Sequence, residues 1–194
     1  MMARIVFLSV FIFLFHTLPA QYFGFGVKAG MNYSSYSNGL MGYQPNVFGH
    51  AGSITYFGIN RHLGIQLELE FARHGGKVPV GEYKLDVKQN YFSVPLLLKY
   101  KTQSGFFING GPQFNIRVSQ YIMNYKLPLG SSSIEMSLAG GIGYRMTPGC
   151  GIEARYIKGI TNTGQYLKDN ANLVNFKTNV FQVSLFWLLL FDND

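Results

Sequence analysis

The chain has 194 residues, 47% of them hydrophobic, 16% aromatic and 13% charged, with 16 Lys+Arg against nine Asp+Glu and a formal charge of +7. That length suits one domain, and a charged fraction about half the usual quarter excludes a disordered, highly solvated chain. The single cysteine, Cys150, excludes an internal disulfide, a CxxC redox pair and a Cys-rich metal centre. The basic residues are scattered, with no run of three, which argues against a nucleic-acid interface.

Met1–Arg4 is a short positive region, Ile5–Phe15 an apolar stretch, and His16–Ala20 ends in a small residue before Gln21. This three-part layout predicts an export signal over 1–20 and a separate domain over 21–194. Neither Ile5–Phe15 nor Val183–Phe191, the longest apolar runs, reaches the roughly 18 residues of a spanning helix.

Beyond the signal, apolar and polar residues alternate with period two, the pattern of a two-faced strand. The first strand places Phe23, Phe25, Val27, Ala29, Met31 and Tyr33 opposite Gly24, Gly26, Lys28, Gly30 and Asn32. The second, Val47–Phe57, is ambiguous in phase, and its bulkier residues favour Phe48, Ile54 and Tyr56 on the apolar face. The third carries Leu63, Ile65, Leu67, Leu69 and Phe71 against Gln66, Glu68 and Glu70. The fourth carries Phe92, Val94, Leu96, Leu98 and Tyr100 against Ser93, Pro95, Lys99 and Lys101. In Phe106–Ser119 the apolar set runs from Phe106 to Val118, opposite Asn109, Gln113, Asn115 and Arg117. In Ile134–Arg145 it runs from Ile134 to Tyr144, opposite Glu135, Ser137 and Arg145. The seventh strand sets Ile152, Ala154 and Tyr156 against Glu153 and Arg155. The eighth sets Phe181, Val183, Leu185, Trp187, Leu189 and Phe191 against Gln182 and Ser184.

The links alternate as well. Gly58–His62, Thr102–Gly105 and Met146–Gly149 are short and carry turn residues; Ser34–Asn46, His74–Asn90, Gln120–Ser133 and Gly159–Asn175 read as long loops. Every strand therefore reverses direction, with short links at one end and long ones at the other. The apolar faces are aromatic and aliphatic, and the polar faces are small, amide-bearing and sparsely charged. In lipid every backbone N–H and C=O must be paired, which a closed barrel achieves without edges. Short periplasmic turns, longer external loops and aromatic girdles complete the expectation of an all-β, eight-stranded antiparallel up-and-down transmembrane barrel in the outer membrane. A soluble barrel holding lipid in an apolar lumen is the alternative.

Asn90–Lys101, reading NYFSVPLLLKYK, resembles a hallmark of the PorT-like outer-membrane β-barrel family of Bacteroidetes, with Val94, Pro95 and Leu96 at its centre. Gly111-Pro112, the glycine-rich Gly140–Gly143, Glu68–Phe71 before His74–Lys77, and Arg155-Tyr156 followed by Gly159 resemble further motifs of that family in the same order. The resemblance implies an eight-stranded outer-membrane barrel. One branch of the family is an accessory of type IX secretion, so envelope or secretion proteins join outer-membrane lipid as expected partners.

Ten ionisable residues fall on the polar faces: Lys28, Glu68, Glu70, Lys99, Lys101, Arg117, Glu135, Arg145, Glu153 and Arg155. Four acids against six bases predict a paired charge network filling a narrow lumen. His50, His62 and His74 show no spacing to Ser or Glu82 that makes a catalytic set, and no metal-ligand pair on one strand face. The glycine strings lack the Gly-Lys-Ser/Thr ending of a phosphate loop. No catalytic residue, cofactor or metal is expected; the reading is a structural or protein-interaction barrel, with a rim enzyme acting on lipid as the alternative. Tyr36, Tyr43, Tyr83, Tyr121, Tyr125 and Tyr166, in or beside the long links, could anchor a protein contact or mark the headgroup level.

Overall fold

The computed structural model describes residues 22–37, 44–80, 83–122, 125–127, 134–146, 149–161, 164–167 and 173–191. The strands are β1 (Tyr22–Ser37), β2 (Gln44–Gly58), β3 (Leu63–Val80), β4 (Tyr83–Lys101), β5 (Phe106–Ile122), β6 (Tyr125–Leu127), β7 (Ile134–Arg145), β8 (Cys150–Gly159), β9 (Gly164–Leu167) and β10 (Leu173–Phe191). Neighbours pair antiparallel in the order β1-β2-β3-β4-β5-β7-β8-β10, and β10 returns to β1. The result is a closed barrel of eight staves. The short strands β6 and β9 pair antiparallel with β5 and β10 at the end away from the short turns. No helix among the described residues is long and apolar enough to cross a membrane; the barrel crosses with strands.

The alternation becomes geometry. Met31, Leu98, Ile108, Leu138, Ile142, Leu185 and Leu189 are more than half exposed on the outer surface, while Asn32, Gln66, Glu68, Ser93, Gln113 and Gln182 are buried inside. Such a coat faces hydrocarbon, not water, and a polar interior is the reverse of what a soluble lipid-holding barrel needs. Aromatics gather at two levels. Near the short turns, Phe23 packs on Phe57 at 5.6 Å and Phe106 on Tyr144 at 4.8 Å, with Tyr100 between β3 and β5. Towards the other end, Tyr33, Phe181 and Tyr156 lie opposite one another across β1, β10 and β8. Phe23 and Tyr33 are ten residues apart on β1, about 33 Å of strand and about 25 Å of height at a tilt near 40°, the height of an apolar band.

Two sequence expectations are corrected. In β2 the outward residues are Val47, Gly49, Ala51 and Phe57, while Ile54 and Tyr56 are buried in the lumen. Pairing decides this, because Val27 of β1 lies opposite Ser53 and directly paired residues share a face. Secondly, His74–Asn90 is not a loop: β3 and β4 stay paired to Val80↔Tyr83. Of the other long links, Ser34–Ser37 continues β1, Gln120–Ile122 continues β5, and Leu173–Asn175 begins β10. Of the six tyrosines read as loop residues, Tyr36, Tyr83, Tyr121, Tyr125 and Tyr166 belong to strands, and Tyr43 lies outside the described residues. Residues 1–20 also lie outside them.

The short turns need glycine where the chain reverses. Gly105 and Gly149 take φ of 95° and 104°, a region that side-chain-bearing residues rarely adopt.

Candidate functional site: the charged lumen

Lumen-facing positions recur every second residue, so the inner faces of β1, β3 and β8 bring Lys28, Glu68, Glu70, Glu153 and Arg155 to one height. Lys28 Nζ lies 3.1 Å from Glu68, 2.8 Å from Glu70 and 3.4 Å from Glu153. Arg155 donates to both carboxylate oxygens of Glu68, at 2.7 and 2.8 Å, and to Glu153 at 2.7 Å. All five side chains are at most 1% exposed. Amides extend the network: Asn109 donates to Glu153 at 2.7 Å, Gln66 to Glu68, and Gln182 to Glu70 at 3.4 Å. Buried charges persist only when paired and hydrogen-bonded, and this cluster joins walls that are not neighbours in the sheet. It links β3 to β8, four staves away around the barrel.

A second pair, Arg117 and Glu135, meets at 2.7 Å, and Tyr91 donates to Glu135 at 2.8 Å. The remaining three lumen cations, Lys99, Lys101 and Arg145, sit apart at the short-turn end. Lys99 donates to Gln66 at 2.8 Å and lies 3.7 Å from the Phe107 ring centroid. Lys101 lies 5.5 Å from that of Tyr56.

The prolines and glycines of the sequence motifs shape the wall around this cluster. The β3–β4 pairing skips Glu68/Pro95 and Leu69/Val94, and the β4–β5 pairing skips Leu96/Pro112 and Leu97/Gly111, without any change of register. Proline has no N–H to give a ladder. A side chain at Gly111 would run into the Leu96 carbonyl, and one at Gly159 would lie 2.7 Å from that of Thr178. Arg155 is the hub of the plug, and its neighbour Tyr156 faces outward.

Two of the three histidines, His50 and His74, are buried inside the barrel. His50 points into the lumen, its Nε2 2.9 Å from Ser184 Oγ, and His74 is buried with its ring 5.1 Å from Tyr91. His62 belongs to a short turn, its Nδ1 3.0 Å from the Lys101 carbonyl. The His50–Ser184 contact was hidden in the sequence because the β2 phase was not legible and the two residues are 134 apart. The Nδ1 of His50 meets no hydrogen-bond partner among the described residues, so no acid orients that ring as a catalytic triad requires. Glu82 lies outside the described residues. Among those described, no group of three metal-ligating side chains occurs.

A family model described as "Outer membrane protein beta-barrel domain" matches residues 17–165. The chain belongs to that family. It is an outer-membrane β-barrel protein, and the soluble alternative is withdrawn. Among solved structures, the Neisserial surface protein A superposes with a TM-score of 0.55 at 15% identity, over 84% of this chain and 96% of its own. The attachment invasion locus protein of Yersinia pestis, solved with the heparin analogue sucrose octasulfate, superposes with a TM-score of 0.50 at 16% identity, over 86% and 99%. At these identities the likeness is one of fold. A comparison with curated proteins gives no match.

Proposed function

We propose that this protein is a non-enzymatic, PorT-like outer-membrane barrel that works through contacts at its ends, and not by passing or transforming a solute. The observation that carries this reading is the fully buried Lys28–Glu68–Glu70–Glu153–Arg155 cluster across the lumen. A stave number that leaves room only for side chains points the same way. Residues 1–20 serve as the export signal, outer-membrane lipid is the constant partner, and envelope or secretion proteins are the specific ones, type IX secretion included. The paired extension of β3 and β4 to Val80 and Tyr83 offers a surface for such contacts.

The test is crosslinking of the protein in native outer membranes, followed by identification of what is joined to it. Recovery of envelope or secretion components supports the reading, and recovery of lipid alone opposes it. The rim-enzyme reading would pair His50 or His74 with a serine or Glu82, and unchanged lipid A species in a His50→Ala/His74→Ala strain remove it.

A further inference from the structure

The outer coat carries charge at one end only. Among the described strand residues, none that faces outward at the short-turn end is charged; Phe23, Phe57, Tyr100, Phe106 and Tyr144 stand there. At the opposite end Arg73 follows Phe71 on β3 and Lys158 follows Tyr156 on β8, each exposed and each one outward step beyond its aromatic residue. Aromatic residues mark the headgroup level, so both cations stand among the headgroups of the leaflet away from the short turns. Short turns are periplasmic in such barrels, which makes this the external leaflet.

Arg73 is held in place. Its Nε donates to Asn90 Oδ1 at 2.7 Å, and Asn90 Nδ2 donates in turn to Ser119 Oγ at 2.8 Å. Asn90 and Ser119 are 8% and 6% exposed, so the relay from β3 through β4 to β5 is itself fixed. This is the guanidinium's one hydrogen bond among the described residues, and it leaves the two terminal nitrogens, the pair that can meet two oxygens of one anion. Asp86, four residues before Asn90 on β4, is engaged by Lys88 at 3.0 Å and by Asn46 at 3.0 Å, and not by Arg73. One step towards the membrane, Phe71 and Phe92 lie opposite each other on β3 and β4, 51% and 39% exposed to hydrocarbon.

We infer that Arg73 binds the phosphate of a phosphorylated glycolipid in the external leaflet, with the acyl chains of that lipid lying along Phe71 and Phe92. An oriented fork at headgroup depth matches the geometry of a phosphate, and the aromatic pair below it matches the apolar part of the same molecule. Asn90 is the positioning residue, because it fixes the guanidinium without reaching the anion. The inference rests on the membrane placement given above and adds one specific lipid to the general lipid contact.

The full chain, folded into a neutral, phosphate-free detergent, is titrated with lipid A and separately with dephosphorylated lipid A, and the lipid-bound fraction is read by native mass spectrometry. Saturable binding of lipid A is expected, at least about tenfold tighter than that of the dephosphorylated form, the worth of charge-assisted hydrogen bonds. Arg73→Gln is expected to remove that preference. Arg73→Lys keeps the charge without the fork and is expected to weaken binding about threefold, as is Asn90→Ala, which keeps the charge without its brace. Arg61→Gln, an exposed cation in the turn after β2 at the other end, is expected to leave binding unaltered. Equal binding of the two lipids by the wild type, or an undiminished preference in Arg73→Gln, overturns the inference. Heat-modifiable migration is followed for each variant, so that loss of this site is distinguished from loss of the barrel.

Discussion

Arg155 on β8 grips Glu68 on β3 through two parallel hydrogen bonds of 2.7 and 2.8 Å, across the lumen and between staves that share no ladder. Lys28 and Glu153 close on the same two groups, so three acids face two bases in one dry cluster. The sign of each substitution follows. Arg155→Gln leaves three buried carboxylates with Lys28 alone and is expected to cost about 3–5 kcal/mol. Glu68→Gln balances the remaining charges and costs less, though Arg155 loses its bidentate partner. Urea unfolding in lipid vesicles measures both, and equal losses would show that charge count does not govern the plug.

The same cluster predicts electrical silence. In planar bilayers the wild type should show no steady open state, and Glu68→Gln, which keeps the side-chain volume, should not create one. Large, lasting conductance in either would mean that the lumen is not sealed at this level.

The outer coat makes its own prediction. Leu185 is 64% exposed and lies opposite Ala29 at mid-strand of β1. Leu185→Arg should lose about 2–4 kcal/mol in bilayers, the cost of a charge near the midplane of a barrel's lipid face. A soluble surface would accept that arginine, so a neutral outcome would contradict the membrane-facing assignment.

Two glycines of similar appearance should behave differently. A methyl group at Gly111 would meet the Leu96 carbonyl and lie 3.1 Å from the Leu97 Cα, whereas one at Gly140 meets nothing within 4 Å. Gly111→Ala is expected to cost about 1–3 kcal/mol, as overpacking does, and Gly140→Ala about 0.5 kcal/mol or less. The midpoint of heat-modifiable gel migration separates the two.

Most of the barrel was legible in the sequence because period-two alternation states both the strand and its two environments. Phe106–Ser119 and Ile134–Arg145 alternate bulky apolar with amide, small or charged residues, and both faces are as written. β2 was not legible, because its lipid face includes Gly49, Ala51, Ser53 and Thr55, which carry little apolar signal, while Ile54 and Tyr56 fill the lumen. The reach of the β3–β4 hairpin was hidden for a similar reason. His74, Gly75, Gly76 and Pro79 look like a loop, yet cross-strand pairing carries them as strand to Val80.

The sequence by itself determined that this chain is a lipid-facing barrel with ten ionisable groups turned inward, because local alternation decides which side of a strand meets hydrocarbon. Only the tertiary structure decided which charges meet. Closure of β10 on β1 and the register of each ladder bring Lys28, Glu68 and Arg155 together from positions 40 and 87 residues apart, and place Lys99, Lys101 and Arg145 at the short-turn end with Tyr56. Distances across a lumen depend on shear and stave order, which no single strand encodes.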